Sequence, residues 1–207
     1  MKIALIGASG FVGSKVLAEA LERGHEVLAI VRNAEKLPAR ANLVVRPGDA
    51  TDVDVLAALI SGCDLAISAY NPRLDQDGTA TQRIIEGVKR AGVMRFLAVG
   101  GAGSLEVAPG KRVVDQPDFP AEWKGGALRT AAFLDQLRAD NELDWVFLSP
   151  AAMLGPGERT GAYRVGTDQL LKDDKGESRI SLEDYAVAML DEAEHPKHRR
   201  QRFTVAY

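Results

Sequence analysis

Near the start of the chain an apolar run, Lys2 to Ile6, gives way to Gly7-Ala8-Ser9-Gly10-Phe11-Val12-Gly13. Ser14 to Arg23 follows, with Val16, Leu17, Ala20 and Leu21 at helical spacing. No other feature restricts the fold as much as this succession of strand, glycine turn and helix. Gly24 closes the helix as a C-cap, and His25 to Val31 is a second run rich in β-branched residues. Two strands joined through a helix need a crossover connection, so they lie side by side and parallel.

The alternation continues. Strands are predicted over 43–46, 64–69 and 95–99, with helices over 53–61 and 79–91 between them. A helix over 127–138, a sixth strand over 144–148, a helix over 183–193 with Ser181 and Asp184 as a capping pair, and a closing strand over 202–206 complete the pattern. The fold class is α/β: a Rossmann-type doubly wound parallel sheet with helices on both faces, formed by residues 1–207 as a single domain. Two stretches, 105–126 and 149–180, are irregular and rich in glycine, proline and polar residues. Both follow strand C-termini, where open α/β sheets bind ligands, and they are read as a small substrate lobe.

Composition narrows the partners. There are 26 Lys and Arg against 29 Asp and Glu, a net charge of −3 with no block of one sign, which argues against a nucleic-acid partner. No apolar run approaches the roughly 18 residues of a membrane span, so a cytoplasmic protein with no membrane partner is expected. Cys63 is the single cysteine and the three histidines lack zinc spacing, so neither a disulfide nor a metal site is expected.

The glycine turn names a ligand class. Its glycines can turn tightly, let a pyrophosphate approach bare backbone and let helix pack on strand, while the helix N-terminal amides and dipole hold the phosphates. A tight turn without ligand would use the same residues, but its setting in a βαβ unit points to a dinucleotide. The second strand ends Ala29-Ile30-Val31-Arg32-Asn33, without the acid that grips the ribose hydroxyls of NAD. Arg32 suits a 2′-phosphate, with Lys36 as a weaker candidate, so NADP is the expected coenzyme, NADPH over NADH. Arg32 could also be a solvated strand-end charge.

These residues resemble the short-chain dehydrogenase/reductase superfamily in its atypical NAD(P)-binding branch, along almost the entire chain. Gly48-Asp49-Ala50-Thr51-Asp52 is similar to the segment with which such proteins hold the adenine, which implies a role for Asp49 and Ala50. Thr160-Gly161-Ala162-Tyr163 and Ser178-Arg179-Ile180-Ser181 resemble the flavin reductase and biliverdin-IXβ reductase group and the bacterial NADH-flavin reductases. Typical members of the superfamily carry Tyr-x-x-x-Lys, the tyrosine acting as general acid. The matching positions here are Gly126 and Thr130, and the histidine of the flavin reductase group is replaced by the stretch 149–153.

Without that acid, hydride transfer from the coenzyme to a planar acceptor remains available, because the protein then has only to orient the two rings and exclude water. The nicotinamide is expected over the ends of strands four and five, at Ala69, Tyr70 and Asn71 and at Gly100 and Gly101, with Ser104 as a candidate hydrogen-bond donor to substrate. Trp123, Met153 and Tyr163 are candidates for the substrate pocket. The expected function is an NADP(H)-dependent reductase of a flavin, quinone or similar planar acceptor, as monomer or homodimer. The alternative is a non-catalytic NADP-binding redox sensor resembling NmrA-like regulators. A nucleotide-sugar epimerase or dehydratase is disfavoured, since such enzymes generally use the missing tyrosine.

Overall fold

The computed structural model describes residues 1–75 and 77–207. In chain order its elements are β1 (Lys2–Ile6), α1 (Gly13–Glu22), β2 (Glu26–Val31), β3 (Leu43–Pro47), α2 (Val53–Ile60), β4 (Leu65–Ser68), α3 (Ala80–Arg90), β5 (Arg95–Val99), β6 (Glu106–Ala108), β7 (Lys111–Arg112), α4 (Ala121–Ala139), β8 (Asp144–Ser149), β9 (Met153–Gly155), β10 (Arg164–Gly166), β11 (Arg179–Ser181), α5 (Leu182–Glu194) and β12 (Gln201–Ala206).

The main sheet has the order β10-β12-β8-β5-β4-β1-β2-β3. Every pairing in it is parallel except that of β10 with β12. From β1 the chain steps outward to β2 and β3, then returns to β4 on the other side. That reversal leaves a crevice above the carboxyl ends of β1 and β4.

The run of apolar residues in β1 follows from burial on both faces. Side chains alternate across a strand, so Ile3 and Leu5 join the layer beneath α1 and α5, with Val16, Leu17, Tyr185 and Met189. Ala4 and Ile6 join the opposite layer under α2, α3 and α4, with Leu56, Ile84 and Phe133. On that side Phe133 sits edge-on to Phe147, ring centroids 5.9 Å apart.

Both stretches read as irregular contain structure. β6 and β7 form a short hairpin inside 105–126, and α4 begins at Ala121 rather than at Ala127. Gly125 and Gly126 weaken the local helical signal, but tertiary packing overrides it: a Cβ on Gly126 would lie 3.3 Å from the Cβ of Arg73. Within 149–180, β9 pairs in parallel with β11, and β10 adds the antiparallel edge to the main sheet. The two stretches meet where Glu106 bridges to Gln169.

Candidate coenzyme and acceptor site

The glycine turn lies in the crevice at the reversal point. Gly7 has φ +77°, and a Cβ there would lie 2.8 Å from the carbonyl oxygen of Ala69 at the end of β4. At Gly13 a Cβ would meet the Gly7 oxygen at 2.1 Å and the Ala69 Cβ at 3.2 Å. Only bare backbone lets β1, β4 and the start of α1 come this close. The turn holds itself through Gly7 N donating to Ile30 O and Gly10 N donating to Gly7 O.

Beyond it, α1 starts without a side-chain cap and without an acid in its first turn. The amides of Phe11, Val12 and Gly13 donate to no backbone carbonyl among the described residues. By contrast, Asp52 caps α2 and Ser181 caps α5. A helix whose first amides and positive dipole end are left open beside a cleft suits a phosphate.

A cavity of about 280 Å³ opens beside this turn, walled by Gly7, Ser9 and Gly10, by Ile30 to Arg32, by Gly48 to Thr51, and by Ala69, Tyr70, Asn71 and Leu74. Nine of the expected coenzyme residues therefore meet in one place: Gly7, Ser9, Gly10, Arg32, Asp49, Ala50, Ala69, Tyr70 and Asn71. The Asp49 Oδ1 accepts from Thr51 N at 2.9 Å and Thr51 Oγ1 at 2.8 Å, while Oδ2 has no partner among the described residues. The Thr51 amide and hydroxyl, with Arg32 and Arg83 contributing positive charge, hold the Asp49 carboxyl below the usual carboxylate range. Burial, helped by Asp75 and Asp49, pushes the Tyr70 phenol up. Arg32 is exposed and makes no hydrogen bond or ion pair among the described residues. Leu74 and Thr51 complete the wall; a loop leucine carries no local signal of such a position, and the charge of Arg83, carried on α3, acts on Asp49 without lining the cavity.

The side chains of the remaining expected residues are not in the cavity wall, although the amides of Phe11, Val12 and Gly13 stay open beside it. Ala8 is fully buried in the core, Phe11 is exposed at the start of α1, and Val12 packs against the α1 layer. Gly100 and Gly101 were expected to leave room for a ring, and neither lines this cavity. A Cβ on Gly100 would strike Phe147 Cε1 at 2.4 Å and Leu148 O at 2.8 Å, and one on Gly101 would lie 3.1 Å from Thr130 Cγ2. These glycines let β8 and α4 pack against the end of β5. Ser104 is corrected likewise: it is buried, its Oγ accepts from Arg202 at 3.1 Å, and it lines neither cleft described here.

A second cleft, of about 940 Å³, lies beyond the end of β8. Its walls are Trp123 from the first turn of α4, residues 152–158, Thr160 and Ala162, and Arg179, Ile180, Ser181 and Tyr207. Trp123 is 58% and Met153 54% exposed, so large apolar side chains face solvent at its rim. The expected partner Tyr163 is not in this cleft. Its hydroxyl donates to Asp191 at 2.5 Å, burial and that carboxylate push its phenol up, and it lines a separate cavity against α5. Arg179, Ile180 and Ser181 reach the cleft through the β9 and β11 pairing, and Tyr207, just past β12, through its amide's bond to Arg179 O at 3.0 Å; no local pattern announces either.

The loop between β9 and β10 is anchored by buried carboxylates. Asp184, fully buried on α5, accepts from Thr160 N at 2.8 Å, Gly161 N at 2.7 Å and Tyr207 Oη at 2.7 Å. Burial pushes the Asp184 carboxyl up, but the donors of Thr160, Gly161 and Tyr207 outweigh it and hold it low. Glu19 on α1 accepts both Arg159 Nε and Nη2 at 2.8 Å, and Arg159 first, with Arg23, holds its carboxyl low. The Thr-Gly-Ala-Tyr motif thus tethers the cleft loop to α5, and Arg159 just before it ties the loop to α1.

The fold, with its glycine turn at the reversal point, defines an NAD(P)H-binding oxidoreductase-like protein. The chain belongs to the NAD(P)H-binding family, whose model matches residues 7–195. It is 42% identical to the Bacillus subtilis protein YwnB over 99% of this chain and 98% of that protein. Among solved structures, it is 50% identical to a Bacteroides thetaiotaomicron protein provisionally named an epimerase, with a TM-score of 0.95 over 100% of this chain and 96% of that one. A Streptococcus pneumoniae protein provisionally named an NADH-flavin reductase is 37% identical, with a TM-score of 0.87 over 100% of this chain and 99% of that one. Among the described residues, no helix is long and apolar enough to cross a membrane and no group of three or more metal-ligating side chains is assembled.

Proposed function

We propose that the protein is an NADPH-dependent reductase that passes a hydride to a flavin, quinone or similar planar acceptor. The observation that carries this reading is the pairing of an uncapped α1 N-terminus and an unpaired Arg32 with an apolar-rimmed cleft beyond the same edge of the sheet. When bound, the coenzyme supplies the hydride. The open amides at the start of α1 hold its pyrophosphate, Asp49 and Ala50 meet the adenosine, and Arg32 takes the 2′-phosphate in a bidentate, charge-assisted contact. Ala69, Tyr70 and Asn71 bring the nicotinamide end toward the second cleft. There Trp123 and Met153 offer faces against which a flat ring can stack and from which water is displaced.

No protein acid is assigned, because a delocalised acceptor takes a hydride without one, and its proton then comes from solvent. Thr130, at one position of the missing Tyr-x-x-x-Lys pair, donates its hydroxyl to Gly126 O at 2.9 Å. Gly126, at the tyrosine position of that pair, carries no side chain, which counts against an epimerase that needs the tyrosine. The relative named as an NADH-flavin reductase supports a flavin acceptor. The sensor reading draws on the same lack of an acid.

Following NADPH absorbance with FMN, riboflavin and a panel of quinones tests the proposal. Turnover with at least one planar acceptor is the expected result. Tight NADP binding without turnover of any acceptor would instead make the protein a sensor.

A further inference from the structure

The second cleft is not purely apolar: its wall includes the cation of Arg179. Arg179 on β11 stands opposite Met153 on β9 in the parallel register, so the two side chains flank one another at the rim. Its guanidinium lies over the ring of Tyr207, 5.8 Å from the centroid. Its nearest carboxylate, from Glu177, is 3.7 Å from Nε, and both side chains are more than half exposed. Neither terminal nitrogen of Arg179 makes a hydrogen bond among the described residues. Several other arginines are engaged, Arg23, Arg95 and Arg159 each meeting a carboxylate at 2.8 Å or less, whereas Arg32 at the first cavity is, like Arg179, without a hydrogen bond among the described residues. The other charged residue of the cleft, Glu158, contributes its carbonyl to the Ser181 hydroxyl at 2.8 Å.

A planar guanidinium held over an aromatic face, with its donor fork unused beside apolar surface, is suited to a carboxylate or phosphate attached to a flat apolar body. We infer that the acceptor carries an anionic group and that Arg179 binds it, so that the cleft selects amphipathic planar anions over their neutral counterparts. This inference rests on the reading of the second cleft as the acceptor site.

FMN and riboflavin share one ring system and differ by a phosphate, which makes them the probes. Their binding to the protein saturated with NADP is read by the change in the flavin's own fluorescence, and their reduction by NADPH oxidation. FMN is expected to bind about tenfold or more tightly than riboflavin, as a charge-assisted contact implies. Arg179→Gln should remove that difference by weakening FMN alone, Arg179→Lys should keep part of it, and salt should narrow it. Equal binding of the two flavins to the native protein, an equal loss of both in Arg179→Gln, or binding of neither overturns the inference. Phosphate-dependent binding without NADPH oxidation sinks the reductase reading and leaves the anion site standing. Equal turnover of both flavins does the reverse.

Discussion

Arg32 follows the end of β2 with no partner among the described residues, and the carboxylate of the cavity wall, Asp49, is already occupied at Oδ1 by Thr51. A free guanidinium at this position discriminates coenzymes only by what it adds to NADP. Arg32→Asp should therefore weaken NADP by about tenfold to a hundredfold and change NAD much less, measured by calorimetry with each coenzyme. Equal losses would place the arginine away from the 2′-phosphate. The glycines make a different kind of claim. A methyl group on Gly13 would overlap the Gly7 oxygen at 2.1 Å, a backbone atom that cannot swing aside. Gly13→Ala should cost about 1–3 kcal/mol in denaturant unfolding and sharply weaken coenzyme binding. A variant that melts and binds like the native protein would refute the packing argument.

The element that matters most for the acceptor side is the loop between β9 and β10, since its residues 156–158, 160 and 162 line the cleft while Asp184 and Glu19 hold its middle at Arg159, Thr160 and Gly161. Asp184→Ala strands the Thr160 and Gly161 amides and the Thr160 and Tyr207 hydroxyls, a loss of about 3 kcal/mol or more. In activity it should raise the acceptor KM while leaving NADP affinity near native, because the tethered loop lies beyond β8 and the coenzyme cavity lies at β1 and β4. The tether also has a pH signature. Both carboxyls titrate lower in the folded chain than in the unfolded one. Their stabilising contribution is complete above the unfolded values near pH 4 and drains away as pH falls through the folded values. Thermal melts should be flat across neutral pH and decline below about pH 5, less steeply in Glu19→Gln than in the native protein. A steep loss of stability between pH 8 and 6 would contradict this.

At the scale of the whole molecule, the sheet places two clefts along the carboxyl edge of its strands, one at the β1 and β4 reversal and one beyond β8. Trp123 belongs to the second, contributed by an α4 turn that extends six residues ahead of the apolar repeat. Trp123→Ala should raise the acceptor KM about tenfold or more, the scale of one lost stacking face, with coenzyme binding unchanged. A fall in NADP affinity of the same size would mean that the two clefts are one.

The sequence by itself determined the βαβ beginning and the parallel sheet, and it named nine of the residues that meet in the cavity at β1 and β4. Those signals are local: a strand, a glycine turn and a helix adjoin in the chain, and Arg32, Asp49 and Ala69 each follow the end of a strand that must lie beside the turn. Tertiary structure alone decided the acceptor side. Gly100, Gly101 and Ser104 looked like ligand contacts because glycine and serine near a strand end serve packing and binding equally well, and only the positions of Phe147, Thr130 and Arg202 show which. Tyr163 turned to Asp191, and Arg179 and Tyr207 entered the cleft, through pairings between strands too short to have a period of their own. Burial and long-range hydrogen bonds assign those residues, and neither leaves a mark on neighbouring positions of the chain.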